Sequence, residues 1–427
     1  MILLFLLIFP FTGESEALII AEKIRKAVED LKIEHKYSDV SPYLTISIGL
    51  SCLIQSENNK KIEKLKSLMS NVGISLLSII VALFFGVFFI LLTEESPATA
   101  YQALYVGAFG NFRNILNTLW RSTPLILTGL AFAIPYRAGL INIGAEGQYL
   151  LGGFSAGVAG YYFTSLPTFI HLPLAILAGI IGGALWAGLA GWLKAKMEVN
   201  EVISTIMLNH IAVALTINYG INRLRTSTRM ATPEILDSAK LLRFKDMPES
   251  AFWSNLPFVE IFADPGIRLH VNFILAIITA FVLWYLLFKT SLGYEFRAVG
   301  SNSSAAEYGG IDAKKTIIWT MLIGGAVAGL GGAGEALGTH FSFMSGMDAG
   351  YGFTGIAVGL IGQSHPLGVI FGGLLFGALN QGGLEMQFAG VPSEIVNIIQ
   401  ALVIFFVASL QIIKIFIKNR KEKEGVE

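Results

Sequence analysis

Residues 172–194 read LPLAILAGIIGGALWAGLAGWLK, an apolar run that carries no charge before its final lysine. About 20 mostly apolar residues are enough for a helix to cross a bilayer, so this run can form a membrane span. Gly179 and Gly183 are spaced to lie on one face of that helix, and small residues at this spacing let helices approach closely in lipid. The same spacing recurs in two later apolar runs, between Gly325 and Gly329 and between Gly373 and Gly377. The sequence therefore predicts a compact bundle of membrane helices.

Similar apolar runs recur along the chain from residue 73 onward. Of the 427 residues, 54% are hydrophobic and only 14% are charged, a composition that excludes an ordinary soluble domain. We predict about ten transmembrane helices, at residues 73–93, 119–136, 147–164, 172–194, 202–222, 270–289, 316–336, 352–363, 366–385 and 394–416. The predicted fold class is an all-α polytopic membrane protein with a short α/β remnant at its N-terminus.

The placement of basic residues predicts how these helices are oriented. Four lysines between residues 60 and 66 precede the first span, and two glutamates follow it at residues 94 and 95. Because cytoplasmic segments are enriched in Lys and Arg, we place the residues before the first span in the cytoplasm. Both termini are then cytoplasmic, the long polar interval 223–269 is external, and the chain is a multi-pass protein of the cytoplasmic (inner) membrane.

The predicted eighth span, residues 352–363, is unusually short and rich in glycine. Two alternatives remain open for it. It is either a short tilted span or a re-entrant or broken helix, an element whose termini can face a substrate near the middle of the membrane.

Residues 1–55 do not follow the membrane pattern, since they predict a strand at 5–10, an amphipathic helix at 16–31 and a strand at 43–50. The sequences FLLIFPFTGESEALIIAEKIRKAVEDLKI and LTISIGLS resemble the C-terminal part of a diguanylate cyclase (GGDEF) domain. In that family the signature residues come directly before the first of these strands, where this chain has MILL. We therefore expect a truncated, non-functional fragment, and we place the start of the working protein near Met69. A signal peptide is the alternative, but no basic residues precede the apolar stretch.

A polar stretch lies between the second and third predicted spans. Residues 136–153 read YRAGLINIGAEGQYLLGG, which places Asn142, Glu146 and Gln148 among glycines that permit a break in the helix. A charge at the centre of a membrane helix costs about 2.5 to 3.5 kcal/mol, so such groups persist where they face protein or water. From the chemistry alone, a polar cytoplasmic turn is the alternative.

This stretch resembles the signature of permease subunits of nucleoside and simple-sugar ABC importers, which are related to branched-chain amino-acid permeases. The form GLINIGAEGQ is closest to the nucleoside branch, whereas ribose-type relatives more often carry a GGIDLSVG-like sequence. The resemblance extends from about residue 74 to 416, so we divide the chain into the fragment 1–55, a basic cytoplasmic linker 56–72, a permease transmembrane domain 73–416 and a cytoplasmic tail 417–427.

A second stretch, VNEVISTIMLNHIA at residues 199–212, resembles the same branch and brings polar residues onto one helix face. Such a polar stripe lines a pathway or, alternatively, provides hydrogen bonds between helices. A neutral nucleoside needs both donors and acceptors, which an amide-rich lining supplies. The predicted substrate-pathway residues are Asn142, Glu146, Gln148, Asn200 and Asn209.

The third stretch, SLGYEFRAVGSNSSAAEYGGIDAKKT at residues 291–316, is hydrophilic and lies between two predicted spans. It resembles the loop through which such permeases contact their ATPase, and a plain loop is the alternative. We expect Ser301 or Ser303 to cap a short helix over residues 305–308 that Gly309 and Gly310 terminate. The predicted ATPase coupling residues are Arg297, Gly300, Glu307 and Gly310.

The sequence contains no GxxxxGK[ST] motif, so ATP must be hydrolysed by another polypeptide. We predict a transport subunit with no enzymatic activity, no cofactor and no metal site. The resemblance implies an ATP-binding ABC subunit, a second permease subunit that is identical or homologous, an external substrate-binding lipoprotein and a small-molecule nucleoside as partners, and no nucleic acid. The alternatives are a simple-sugar (ribose-type) ABC permease and an ion-coupled secondary carrier, in which Glu146 and Glu335 would be the ion-coupling groups.

Overall fold

The computed structural model describes residues 20, 22–27, 30, 77–225, 228–248 and 259–424. The chain divides into two compact units, residues 1–73 and 74–427. The strands predicted at 5–10 and 43–50 lie outside the described residues, while the described part of the predicted N-terminal helix is helical. In the described part of the second unit the regular secondary structure is helical, and the β pairings are two isolated bridges, from Ala231 to Met344 and from Arg243 to His270.

We number the main α-helices of the second unit from α1 to α13 in chain order. They are α1 (Leu77–Leu91), α2 (Pro97–Phe109), α3 (Phe112–Arg137), α4 (Ala145–Tyr162), α5 (Thr168–Met197), α6 (Glu201–Val213), α7 (Asn272–Lys289), α8 (Ser291–Ser301), α9 (Ser303–Tyr308), α10 (Ala313–Gly334), α11 (Tyr351–Ile361), α12 (Pro366–Phe388) and α13 (Ser393–Glu424). Wider π-helical turns extend α6 through Ala214–Ile221 and α10 through Glu335–His340.

A helix occupies each of the ten predicted spans, which confirms the all-α polytopic membrane fold. By length and composition, five helices within the described residues are apolar and long enough to cross a membrane. Helix α2 was not predicted, because its 13 residues between Pro97 and Phe109 are too few to form a span.

Glycines bring the backbones of α5 and α10 into direct contact. A Cβ atom at Gly183 would overlap the carbonyl oxygen of Gly325, and one at Gly329 would overlap the carbonyl oxygen of Gly179. The two glycine pairs identified in the sequence therefore face each other across one helix interface, as close helix packing in lipid requires. Gly373 and Gly377 of α12 likewise pack against α3.

We expect Gly183→Ala to lower the thermal midpoint of the purified protein, because the added methyl group would collide with the backbone of α10. Overpacking of this kind costs about 1–3 kcal/mol. The matched control is Gly188→Ala on the same helix, where the nearest atom is the mobile Leu322 Cδ2 methyl at 2.6 Å from the new Cβ. Thermal unfolding in detergent measures both variants, and equal midpoints would contradict the assigned interface.

Helix α11 resolves the alternatives left open for the eighth span. Its 11 residues are about 16 Å long, roughly half of the 30 Å hydrocarbon core of a bilayer. Its N-terminus lies inside the protein, where Thr128 of α3 donates a hydrogen bond to the Tyr351 carbonyl at 2.9 Å. The preceding Gly350 has a φ of +72°, a left-handed conformation that glycine adopts without strain. Helix α11 is thus a half-length helix rather than a tilted span.

Candidate functional site

The polar stretch 136–153 forms the connection between α3 and α4. The chain turns at Gly139, whose φ is +78°, and enters α4 at Ala145. Asn142 and Gln148 are buried and pair through both side-chain amides: Asn142 Nδ2 donates to Gln148 Oε1 at 3.1 Å, and Gln148 Nε2 donates to Asn142 Oδ1 at 2.9 Å. This reciprocal pair fixes the connection against the start of α4.

The two asparagines predicted on α6 also have partners inside the protein. The Asn209 side chain accepts a hydrogen bond from the Gly147 backbone N–H and donates one to the Ile143 carbonyl, both at 2.9 Å. Asn200 caps the N-terminus of α6 by accepting from the Val202 N–H at 2.9 Å. All four predicted amides therefore hold the protein's own backbone or each other, and their contact with a substrate stays a prediction.

Glu146 is in a different position, between the N-termini of two helices. It lies in the first turn of α4, its side chain is 5% exposed, and its Oε2 accepts a hydrogen bond from the Gly352 N–H of α11 at 2.5 Å. Helix N-termini carry a partial positive charge, which favours a carboxylate at this point. Its further partners are the Phe353 backbone N–H and the carboxyl group of Asp348, which lies in the loop before α11. Such a carboxyl pair can offer both acceptor oxygens and, when it holds a proton, one donor.

A second polar cluster lies around Arg121, in the N-terminal half of α3. Arg121 Nε donates to Gln381 Oε1 of α12 at 2.9 Å, and its charge interacts with Glu335 of α10. The Glu335 side chain is almost fully buried and lies 3.7 Å from His340 Nε2. Glu335 was predicted only as an ion-coupling group of the secondary-carrier alternative, and Arg121 was not predicted, although an arginine inside the predicted span 119–136 is costly in lipid and was a usable signal.

Two tyrosines connect the clusters. The ring centroids of Tyr149 and Tyr351 are 6.0 Å apart, and the electrostatic neighbours of Tyr149 include both Glu146 and Glu335. The Tyr149 hydroxyl is buried and finds no hydrogen-bond partner among the described residues. We call the groups that interact in this way the column of polar groups, which comprises Glu146, Asp348, Tyr149, Tyr351, Glu335 and Arg121.

Helices α8 and α9 form the predicted coupling loop at the opposite end of α3. Gly300 packs so closely on the Arg137 carbonyl that a Cβ atom there would overlap it. Arg137 and Arg297 both lie over the Phe288 ring, at 5.8 and 5.3 Å from its centroid. Arg137 Nε also donates to the Ser364 carbonyl beyond α11 at 2.9 Å. The loop is therefore attached to the same connection that holds Glu146.

The short helix predicted in this loop is present as α9, but its cap is different. Asn302, not Ser301 or Ser303, accepts the N-terminal hydrogen bond, from the Ala305 N–H at 3.0 Å. The reason is that Asn302 has the extended backbone of a cap, whereas Ser301 and Ser303 are helical. Glu307 is exposed, Tyr308 is 96% exposed, and Gly310 follows with a φ of +85°.

A family model described as the permease component of the branched-chain amino acid transport system matches residues 114–408. The chain belongs to this permease family. Both polar clusters and the coupling loop lie within the matched residues, and a permease is a transport component of an ABC system in the membrane. Among the described residues of the permease, no group of three or more His, Cys, Asp or Glu is placed to hold a metal ion.

Three relatives align with most of the permease. It is 40% identical to the guanosine ABC transporter permease protein NupP of Bacillus subtilis, over 84% of this chain and 98% of that protein. It is 34% identical to the nucleoside ABC transporter permease protein NupB of Lactococcus lactis, over 87% and 97% of the two chains. It is 36% identical to the glucose ABC transporter permease protein TsgB13 of Haloferax volcanii, over 80% and 88%. No solved structure matches the permease. The family model and the three relatives match the permease, and they do not support the cyclase resemblance of residues 1–55.

Proposed function

We propose that this permease is the membrane subunit of an ATP-driven importer that moves nucleosides into the cell. The observation that carries the proposal is the similarity to guanosine and nucleoside permeases over almost their whole length. The similar glucose permease keeps a simple sugar as the second candidate substrate. An ATP-binding subunit supplies the energy, a second permease chain completes the pathway, and an external lipoprotein delivers the substrate.

The column of polar groups is the route that we assign to the substrate. Glu146 and Asp348 provide carboxyl oxygens of the kind that bind ribose hydroxyls in other nucleoside-containing ligands. The amides of Asn142, Gln148 and Asn209 hold the backbone around Glu146, so they set its position. Binding can remain weak, because the route needs only to lower the cost of desolvating a neutral solute.

Energy reaches this route through α8 and α9. The exposed Glu307 and Tyr308 form the surface that contacts the ATPase, and the tight packing of Gly300 on Arg137 transmits its movement to the α3–α4 connection. This assignment places α8, α9 and both termini in the cytoplasm. The clusters around Glu146 and Arg121 then alternate in their access to the two sides of the membrane.

We expect unlabelled nucleosides to compete with uptake of a labelled nucleoside by cells that carry the complete importer, and free ribose to compete poorly. The physical reason is that ribose offers the hydroxyls but lacks the base surface. Cells whose ATPase subunit is catalytically inactive give the background uptake of the labelled nucleoside. Dominant competition by ribose or glucose would favour the simple-sugar alternative, and uptake without a functional ATPase would refute the importer.

A further inference from the structure

A cavity of about 400 Å³ lies at the end of the bundle opposite α8 and α9, which is the outer end in the proposed orientation. It forms where the long loop between α6 and α7 meets the end of the π-helical segment Glu335–His340. Its lining residues are Arg243, Lys245, Pro265, Ile267, Arg268, Thr339 and His340. Among these lining residues three are cationic, one is a histidine and none is acidic.

The position of Arg243 in the cavity wall is fixed by the protein. Its Nε donates to the Gly338 carbonyl at 2.7 Å and its Nη2 donates to the Thr339 carbonyl at 2.6 Å. The guanidinium also packs on the Phe341 ring, 3.8 Å from the centroid. A cation held in this way keeps its orientation when a ligand arrives, so little side-chain entropy is lost on binding.

Three acids of the loop are paired with cations that lie outside the cavity lining. Asp264 pairs with Arg113 at 3.8 Å, and Glu234 and Asp237 pair with Lys240 at 3.0 and 2.8 Å. Burial lowers the pKa of the Arg243 guanidinium, the Asp246 charge raises it, the Arg268 charge lowers it and the Glu335 charge raises it. Arg243 and Arg268 therefore repel each other, Asp246 and Glu335 offset part of that repulsion, and a bound anion would relieve the rest.

We propose that this cavity binds the phosphate group of a small phosphorylated ligand. A phosphate carries about 1.5 to 2 negative charges and three strong acceptor oxygens, which matches a lining with three cations better than a single carboxylate does. The site goes beyond the proposed function and does not depend on it. If the importer moves nucleosides, a nucleotide would be held at the outer mouth by its phosphate instead of entering the column of polar groups.

The test measures binding of inorganic phosphate and of guanosine 5′-monophosphate to the full-length permease in nanodiscs of zwitterionic lipid, without the ATPase and at constant ionic strength. We expect saturable binding to the wild type, weakened roughly tenfold or more in Lys245→Ala and in Arg268→Ala. The matched control is Arg223→Ala, which removes one positive charge outside the cavity lining, where Arg223 lies over the Tyr219 ring, and it should bind like the wild type.

Tighter binding of the nucleotide than of phosphate would identify a phosphorylated nucleoside as the ligand, and equal binding would identify free phosphate. Thermal midpoints check that each variant is folded, and Lys245→Ala carries the test if Arg268→Ala is destabilised. Absence of saturable phosphate binding to the wild type, or equal binding by the wild type and all three variants, would overturn the proposal. Neither result measures nucleoside uptake, so neither would contradict the proposed function.

Discussion

Gly300→Val should reduce uptake to less than about a tenth of the wild-type rate, because the coupling loop could no longer pack on α3. The backbone at Gly300 is so close to Arg137 that even a Cβ atom would overlap the Arg137 carbonyl oxygen and approach the Ala138 backbone at 3.0 Å. Neither obstacle is a side chain that could rotate away. The end of α8 would have to move, and the movement of α9 would no longer reach the α3–α4 connection.

The matched control is Ser301→Val, which introduces the same branched side chain one residue further along α8. Ser301 is exposed, and its hydroxyl donates a hydrogen bond to the Arg297 carbonyl of its own helix at 2.9 Å. Uptake of labelled substrate, ATPase activity of the reconstituted importer and the amount of inserted protein are measured for both variants. We expect Gly300→Val to insert and to leave ATPase activity uncoupled from uptake. If Gly300→Val took up substrate at the wild-type rate, Gly300 would not take part in coupling.

Glu146→Gln should lower uptake roughly tenfold while leaving the fold intact. Glutamine keeps a carbonyl oxygen that can accept the hydrogen bond from Gly352, but its NH₂ group replaces the second carboxyl oxygen of Glu146. Glu146→Leu should also lower the thermal midpoint, because it leaves the buried Gly352 N–H without a partner, at a cost of about 1–3 kcal/mol. The two variants together separate a role in transport from a role in stability.

Glu385→Gln is the matched control, since it makes the same change on α12, where the side chain lies beside Gly107 of α2. Asp348→Asn should resemble Glu146→Gln, because it alters the same carboxyl pair. Uptake and thermal unfolding are measured for all four variants. If Glu146→Gln transported at the wild-type rate, the carboxyl pair would be a structural feature and the substrate would have to contact other groups.

The fold class follows from the sequence because membrane helices satisfy their own backbone hydrogen bonds and depend mainly on local composition. Runs such as residues 172–194 therefore predicted helices without knowledge of their neighbours. The glycine spacings predicted close packing for the same reason, since they mark one face of one helix. Helix α2 was missed because its 13 residues give no span-length signal, and the true cap of α9 was missed because three adjacent polar residues are each capable of capping.

The candidate site depended on contacts between residues far apart in the chain. Asn209 was predicted from its helix face, but only the folded structure shows that its amide oxygen accepts a hydrogen bond from the Gly147 N–H, 62 residues away. Glu146 is held by Gly352, 206 residues away, and Arg121 finds Gln381 across 260 residues. A sequence shows which side chains are polar, whereas tertiary packing decides whether another part of the protein has already satisfied them. For this permease the sequence thus determined the helices and the family, and the tertiary structure decided which polar groups are held by the protein and how they are connected to the coupling loop.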